Sequence, residues 1–382
     1  MDFELTQEQK GFRDTVRQFA EKEIRPISEE LDAKGEFHYA LVPRMAELGI
    51  FGLLFPDKYG GSAVDTITYS LVLEELSRVD SSVAATVAGQ VNLSGDLIYR
   101  LGTEAQREKW LVPIIKGEAL GAFGLTEPSA GSDAGGTRTR AERVGDHWVI
   151  NGGKCFISNV GTRMKEIVVL AAATGTGERG KKLISALVVE KGTPGFRTGK
   201  QYRKLGWRSS ATAELIFEDC RIPKENLLGV EGQGFKQFLE TLNLGRIAIA
   251  SLGVGVAQGC LELALAHAKQ REQFGQPLSK FQAIQFKLAD MALKVELARL
   301  ITHKASTLRD QGKPFAMEAA MAKLYGSEIA TQVAHQAIQI HGGSGFMDEC
   351  PVSRFYRDAR VLEIGEGTSE IQRVVIARNL GC

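Results

Sequence analysis

Apolar residues recur with helical spacing at both ends of the chain and with strand spacing between them. Phe12, Val16 and Phe19 form a stripe behind Thr6 and Gln9, a capping-box pair, so a helix is predicted at the N-terminus. Further helical tracts cover 66–78 and 81–100, the second built from small, weakly polar residues. From about 121 to 229 the period falls to two. There Trp148-Val149-Ile150 leads through Asn151-Gly152 to Cys155-Phe156-Ile157, which predicts a hairpin on a primed turn. Further strands are predicted over 167–171, 183–189 and 213–217. Beyond Gly234 the helical period returns. Ile284, Leu288, Met291, Val295 and Ala298 alternate four and three apart, the seam of a helix packed in a bundle.

The pattern predicts a mostly α chain with a central β domain: helices over 1–120, β structure over 121–229 and a helical bundle over 230–382. A length of 382 residues exceeds what one core serves. The C-terminal helices are also longer than one subunit can cover, which points to an oligomer. Lys and Arg number 47 against 46 Asp and Glu, leaving no positive excess for a nucleic-acid partner. No apolar run reaches membrane-spanning length, and 1–25 mixes acids and bases at helical spacing, unlike a signal sequence. Cys155, Cys220, Cys260, Cys350 and Cys382 show no paired spacing, so neither a metal site nor a disulfide framework is expected. A soluble protein of a reducing compartment is the expectation.

Two stretches carry candidate chemistry. Gly124-Leu125-Thr126-Glu127-Pro128-Ser129-Ala130-Gly131-Ser132-Asp133-Ala134-Gly135-Gly136 stops any helix at its proline and bares its backbone at the glycines. Such a loop can press N–H groups and small hydroxyls against a planar polar ring, although turn chemistry alone writes similar loops. Near the C-terminus, Glu363-Ile364-Gly365-Glu366-Gly367-Thr368-Ser369-Glu370-Ile371-Gln372-Arg373 sets one carboxylate between two glycines, before a helix capped by Thr368 or Ser369. Drawn into an apolar pocket, Glu366 would have a raised pKa suited to a general base, whereas an isolated Gly-Glu-Gly is more often a solvated turn. Two glycine runs are decoys. Gly175-Thr176-Gly177-Glu178-Arg179-Gly180 follows a strand but precedes another strand, so no helix N-terminus is there to meet a pyrophosphate, and it reads as a hairpin loop. Gly253, Gly255 and Gly259 lie inside a helical tract and read as close helix packing.

Together these stretches resemble the acyl-CoA dehydrogenases, and the resemblance runs from Leu5 to Leu380. The first stretch fits one family signature. The second signature is matched by Gln339-Ile340-His341-Gly342-Gly343-Ser344-Gly345-Phe346, with Glu349, Arg354 and Asp358 at the expected intervals. The resemblance implies an N-terminal helical domain, a middle β-barrel domain and a C-terminal four-helix bundle, assembled as a homotetramer of two dimers. It implies α,β-dehydrogenation of an acyl-CoA to the trans-2-enoyl-CoA. A base takes the α-proton, hydride leaves the β-carbon for the flavin of FAD, and electrons pass to an electron-transfer flavoprotein. The α-proton is far too weakly acidic for an unaided carboxylate, so the thioester carbonyl must be polarised. In the family this falls to a ribityl hydroxyl of FAD and to the backbone N–H of the base. Glu366 matches that base. Many relatives have tyrosine where Gly365 stands. Branches that carry the base before the arginine of Asn243-Leu244-Gly245-Arg246 have it where Gly245 stands, which cannot serve.

The cofactor contacts implied are Phe123, Leu125 and Thr126 at the flavin pyrimidine, Ser132 near the pyrophosphate and the CoA arm, Phe156 against one flavin face and Ser158 at the hydride-accepting nitrogen. Arg271, Phe274, Gln282, Gln339, Gly342 and Gly343 match positions that reach the FAD of a neighbouring subunit, and Thr368 and Glu370 complete the set. Asn243 and Arg246 match holders of the CoA, with Gly367 beside the thioester. The acyl tail is expected between 81–100 and 234–270, where Ala84, Ala85, Ala88 and Gly89 precede any arginine, which argues against a dicarboxylyl substrate. Thr241-Leu242, Gly245-Arg246-Ile247-Ala248 and Ile371-Gln372-Arg373 are like those of short-chain (butyryl-CoA) and short branched-chain members, so a short- to medium-chain acyl-CoA is expected. The chain is expected in the cytoplasm, or in the mitochondrial matrix as a processed form. Alternatives are an oxidase or nitroalkane-oxidising flavoenzyme of the same fold, and a non-catalytic relative.

Overall fold

The computed structural model describes residues 4–382, and residues 1–3 of the first expected domain lie outside the described residues. Helix α1 (Gln7–Phe19) starts on the expected capping box: the Gln9 N–H donates to Thr6 Oγ1 at 3.1 Å and the Thr6 N–H to Gln9 Oε1 at 3.0 Å. Val16 and Phe19 are buried beneath it. A π turn (Ala20–Ile24) joins it to α2 (Arg25–Lys34), which ends at Gly35 in a left-handed conformation. Next come α3 (Leu41–Glu47) and α4 (Thr66–Ser77), the latter capped by Asp65, whose side chain accepts from the Thr68 N–H. Helix α5 (Ser81–Ala88), capped by Asp80, widens into a π segment (Gly89–Gly95) and continues as α6 (Asp96–Leu101). The short α7 (Glu104–Gln106) and α8 (Val112–Ile115) close the first helical layer.

An eight-stranded sheet follows, formed by β1 (Ala119–Gly124), β2 (Arg140–Val144), β3 (His147–Ser158), β4 (Lys165–Thr176), β5 (Lys182–Glu190), β6 (Phe196–Thr198), β7 (Thr212–Pro223) and β8 (Leu227–Leu228). Its order is β6-β7-β3-β2-β4-β5-β8, with β1 parallel to β4. Alternation decides how the sheet packs. Val168, Leu170 and Ala172 of β4 enter the sheet's own core with Trp148, Leu187 and Phe217, while Ile167, Val169 and Ala171 face the helical core. Both faces of β4 are therefore buried, and the sheet is fastened to the helices through it.

The expected hairpin at Asn151-Gly152 does not form. β3 runs unbroken through both residues, and the β2–β3 turn lies earlier, at Gly145-Asp146. Asn151 is instead pinned across the sheet to Asp219, its Nδ2 donating to Asp219 Oδ1 at 3.1 Å and its Oδ1 accepting from the Asp219 N–H at 2.9 Å. This marks a register shift against β7, in which Asp219 takes the left-handed conformation. Asn-Gly suits a bulged pair as well as a turn, and β7 is long enough to pair with the whole of β3. The Gly175–Gly180 run is, as expected, the connection between antiparallel β4 and β5.

Beyond Gly234 lie α9 (Gly234–Gln270), the small hairpin β9 (Glu272–Gln273) and β10 (Gln276–Pro277), α10 (Gln282–Asp310), α11 (Ala316–His341), α12 (Pro351–Leu362) and α13 (Ser369–Leu380). α9 packs against α4, α10 and α11. A Cβ on Gly253 would come 2.4 Å from the Gly326 carbonyl oxygen, one on Gly255 2.4 Å from that of Glu74, and one on Gly259 2.4 Å from that of Arg78. These glycines let helices approach backbone to backbone, as the sequence suggested. By its length and by the mean hydropathy (1.6) of an 18-residue stretch within it, α9 also qualifies as a bilayer span, contrary to expectation, but 78% of that stretch is buried inside the fold. Its apolar surface is consumed by helix packing.

Candidate active site

Glu366 sits in the short link between α12 and α13, where Gly365 N–H donates to Val361 O at 2.8 Å and Thr368 caps the next helix. Its φ is +54°, a left-handed conformation that costs a non-glycine residue on the order of 1 kcal/mol. Neighbours hold it there. Gln372 Nε2 donates to the carbonyls of Gly367 (2.8 Å) and Glu366 (3.3 Å), and Lys323 Nζ donates to the Gly367 carbonyl at 2.7 Å. The two flanking glycines are unlike each other. Gly367 has φ +91° and requires glycine, whereas a Cβ on Gly365 would find its nearest atom, Val361 O, at 3.5 Å. The site therefore has room for a side chain at 365.

Part of Glu366 remains accessible, but its carboxylate Oε2 is sealed from solvent and has no hydrogen-bond partner. Burial pushes the carboxyl up to about 7, against the opposing charges of Lys323 and Arg246. Across from it stands Gly245 of α9, where a Cβ would lie 1.9 Å from Oε2. The expected base is thus a buried, desolvated carboxylate that titrates near neutrality and faces a bare helix backbone.

Arg246 is buried beside it and donates to Asn243 Oδ1, while its own Nε is unpartnered. The sequence placed these two residues toward CoA; the fold puts the guanidinium in the interior, close enough to Glu366 to act on its charge. Arg100, the first arginine on the 81–100 tract, is engaged by Asp96, Thr241 and Glu240. Sequence reading missed Lys323. Burial brings its ammonium down to about 8. The available signal was a lysine among Ala319, Ala320, Ala322 and Gly326, on a helix face too small and apolar to be solvated.

The 124–136 loop is organised by a second residue the sequence did not flag. Lys154 of β3 is buried and donates to Glu127 Oε1 (2.8 Å), Thr137 Oγ1 (2.8 Å) and the Leu125 carbonyl (3.0 Å). Glu127 also accepts from the backbone N–H groups of Arg138 (2.7 Å) and Thr139 (3.0 Å). Burial alone would raise the Glu127 carboxyl, but these donors, Lys154 foremost, hold it down at about 2. Glu127 therefore shapes the loop rather than facing a ligand. Lys154→Met would leave that carboxylate buried without its cation, and is expected to destabilise the protein by about 3–5 kcal/mol near neutral pH. Urea unfolding checks this. The deficit should shrink as pH falls, because acid neutralises the orphaned, buried Glu127 of the variant first and the wild type then loses its own Glu127 stabilisation as pH approaches about 2.

Leu125, Thr126, Phe156 and Ser158 are brought together at one end of the sheet, where the Cys155 N–H donates to the Thr126 carbonyl at 2.9 Å. β3 carries an extra residue there against β7. Phe156, at φ +60°, is the bulged residue, and 66% of it is exposed. A strained aromatic plate turned outward is what a flat ring would stack on. Phe123 packs on Phe238 of α9, ring centroids 4.8 Å apart. Ser132 is exposed, and a Cβ on Gly131 would meet nothing within 4 Å.

Arg271, Phe274, Gln282, Gln339, Gly342 and Gly343 form a separate group at the other end of α9, where the rings of His267 and His341 stack with centroids 4.3 Å apart. Arg271 is exposed, Phe274 sits at φ +52° in the β9–β10 turn with 93% of its surface exposed, and the two α11-terminal glycines border open space. Along α9, Gly245 and Arg271 are separated by about 40 Å at 1.5 Å per residue. One chain does not bring this group to Glu366. Thr368 and Glu370 lie at the start of α13 beside the Glu366 link, Glu370 exposed.

Comparison with known proteins gives the following matches. Residues 6–118 match the acyl-CoA dehydrogenase N-terminal domain, 122–220 the middle domain and 232–381 the C-terminal domain of that family. A Bacillus subtilis (strain 168) protein described as a probable acyl-CoA dehydrogenase, YngJ, is 53% identical over 380 residues, covering 100% of both chains. The butyryl-CoA dehydrogenase of Megasphaera elsdenii superposes with a TM-score of 0.96 at 44% identity, again over 100% of both chains. A chain solved in work on the electron transferring flavoprotein of Acidaminococcus fermentans and flavin-based electron bifurcation superposes with a TM-score of 0.96 at 46% identity, over 100% of this chain and 99% of that one.

Proposed function

Because this chain belongs to the acyl-CoA dehydrogenase family, we infer that it oxidises a short-chain acyl-CoA to the trans-2-enoyl-CoA, with Glu366 as the base. The observation that carries this is the Glu366 carboxylate itself, buried, unpartnered and titrating near neutrality opposite Gly245. It is available to take a proton from carbon, and a base with this pKa is half ionised at working pH. The backbone N–H of Glu366 is the chain's own donor to the thioester carbonyl, and the buried Arg246 lies near the carboxylate as an opposing charge.

The residues present fit FAD: an outward aromatic plate at Phe156, hydroxyls at Thr126 and Ser158, and open glycine cradles at Gly131, Gly342 and Gly343. When bound, FAD supplies the two-electron acceptor for the oxidation. The flavin end would be held by Leu125, Thr126, Phe156 and Ser158, with Ser132, Thr368 and Glu370 toward the rest of the molecule. Arg271, Phe274, Gln282, Gln339, Gly342 and Gly343 would hold the FAD of a neighbouring subunit, since they lie far from Glu366 within their own.

A homotetramer accords with this, and α10 offers a surface for it: Phe286, Leu293, Leu297 and Leu300 form an exposed apolar stripe. Arg271→Ala is expected to weaken FAD retention about 10- to 100-fold, the effect of losing a charge-assisted hydrogen bond to a phosphate. Flavin content after dilution and gel filtration reads it, and full retention would remove the cross-subunit role. The electron acceptor we propose is an electron-transfer flavoprotein, the subject of the work on Acidaminococcus fermentans in which one superposing chain was solved. A cytoplasmic or matrix location agrees with buried free thiols at Cys155, Cys220 and Cys260.

The test is an anaerobic titration of the purified protein with butyryl-, isobutyryl-, octanoyl- and palmitoyl-CoA, following the visible flavin band. Bleaching by butyryl-CoA at the lowest concentration is expected. A yellow protein that stays oxidised with all four would overturn the substrate class, and a colourless protein that takes up no FAD would overturn the function. Rapid reoxidation of the bleached protein by air would identify an oxidase instead.

A further inference from the structure

Asn92 lies in the π segment between α5 and α6, the kind of local widening that re-aims a side chain. Its side chain is fully buried. Oδ1 accepts from the hydroxyl of Tyr69 on α4 at 2.8 Å, which orients the amide and turns its NH2 the other way. That Nδ2 has no partner, and buried amides that donate to nothing are rare in folded proteins. The unpartnered acceptor nearby is Glu366 Oε2. Both border one small space over the bare backbone of Gly245: from the point where a Cβ would sit, Oε2 is 1.9 Å away and Asn92 Nδ2 is 3.4 Å away. The two are not bonded to each other as they stand. A single bridging water, or a rotation of the Glu366 side chain, closes such a gap.

We propose that Asn92, oriented by Tyr69, is a positioning residue for the reaction: its amide N–H holds the Glu366 carboxylate in the ionised form and aimed at the substrate. This rests on Glu366 being the base. The other groups facing that carboxylate are Lys323 from α11, Arg246 from α9 and Tyr69 from α4. Lys323 directs its Nζ at the Gly367 carbonyl and Arg246 is bonded to Asn243, so both act on Glu366 as charges at a distance. Tyr69 is itself faced by Asp96 and Arg309. Burial, then the Glu366 charge, raises its hydroxyl well above the usual range, so it stays protonated and keeps donating to Asn92. Asn92 is the neutral donor left over for the carboxylate.

The experiment compares holoenzyme carrying Asn92→Leu, which keeps the volume and removes the donor, with Tyr69→Phe, which keeps the amide and frees its orientation. Glu366→Gln is run beside them. Two quantities are read: the acid limb of kcat/KM against pH with butyryl-CoA, and the pH at which the protonated-carboxyl infrared band absent from Glu366→Gln disappears. Losing a donor to a carboxylate disfavours the ionised form, so both should move upward by about one pH unit in Asn92→Leu. Tyr69→Phe should move them the same way by less. A merely structural role would lower activity at every pH and leave limb and band in place, and that result in Asn92→Leu with full FAD content would overturn the proposal. If Asn92→Leu does not fold, an unmoved band in Tyr69→Phe does the same. An active Glu366→Gln would remove the base assignment on which the inference depends, whereas an inactive one with unmoved limbs removes the role of Asn92 alone.

Discussion

Glu366→Gln is expected to lower kcat by about a thousandfold or more, the scale of a lost general base in a site that supplies no substitute. Gly245, which faces the carboxylate, has no side chain to take over. Binding should survive, because glutamine keeps the size of the side chain. Folding should survive as well, and the sign can be worked out. Glu366 has its folded pKa raised to about 7, so the folded state binds the proton more tightly than the unfolded chain does. Its contribution to stability is fully present below the ordinary carboxylate range and is lost as pH rises through about 7. Above that pH the wild type buries a charge that glutamine does not, so the variant should be at least as stable as the wild type. Steady-state turnover, flavin content and thermal midpoint check the three statements together. Near-normal turnover would sink the base assignment; a collapsed midpoint would mean the residue holds the fold instead. In the wild type, activity should rise with pH through about 7 as the base ionises.

Gly245→Ala should be damaging as well, though less so, and for the opposite reason: it adds an atom. The new methyl would stand 1.9 Å from Glu366 Oε2 and 3.0 Å from its carboxyl carbon. What it meets is the end of a flexible side chain rather than backbone, so the helix should accept it and the carboxylate should move. Displacing a catalytic group by about an ångström costs on the order of a hundredfold in rate. The expected result is therefore kcat down 10- to 100-fold with unchanged thermal midpoint and flavin content, whereas alanine at Gly255 would press on the Glu74 carbonyl and disturb packing. Normal kcat in Gly245→Ala would show that Glu366 does not work from the position described here.

Elements with a strong local period were legible in the chain. The capping box at Thr6, the α10 seam and the packing glycines of α9 all appeared as read, because each is written in the spacing of residue types within a turn or two, even where, as for the glycines, the packing partner lies far off in sequence. Asn151-Gly152 was misread for the complementary reason. The dipeptide permits a turn, but whether it turns depends on whether β7, some seventy residues on, offers a continuous partner to β3. Phe156 carried a similar ambiguity, since nothing in its neighbours announces a bulge that turns an aromatic ring outward. Lys154 and Lys323 escaped notice because lysines are ordinarily exposed, and only the fold takes the water away from these two.

By itself, then, the sequence determined the succession of helical, strand and helical textures and the two motif stretches that disclose the family, since both are written in local spacing and residue type. It also determined that a carboxylate stands between glycines at 366. The tertiary structure decided what that carboxylate is. Burial raises its pKa, Gly245 leaves it space, Lys323 and Gln372 hold its strained backbone, and Tyr69 turns an amide toward it. All but Gln372 come from elements distant in sequence from Glu366. Desolvation and electrostatic coupling depend on distances in space, which no local pattern encodes.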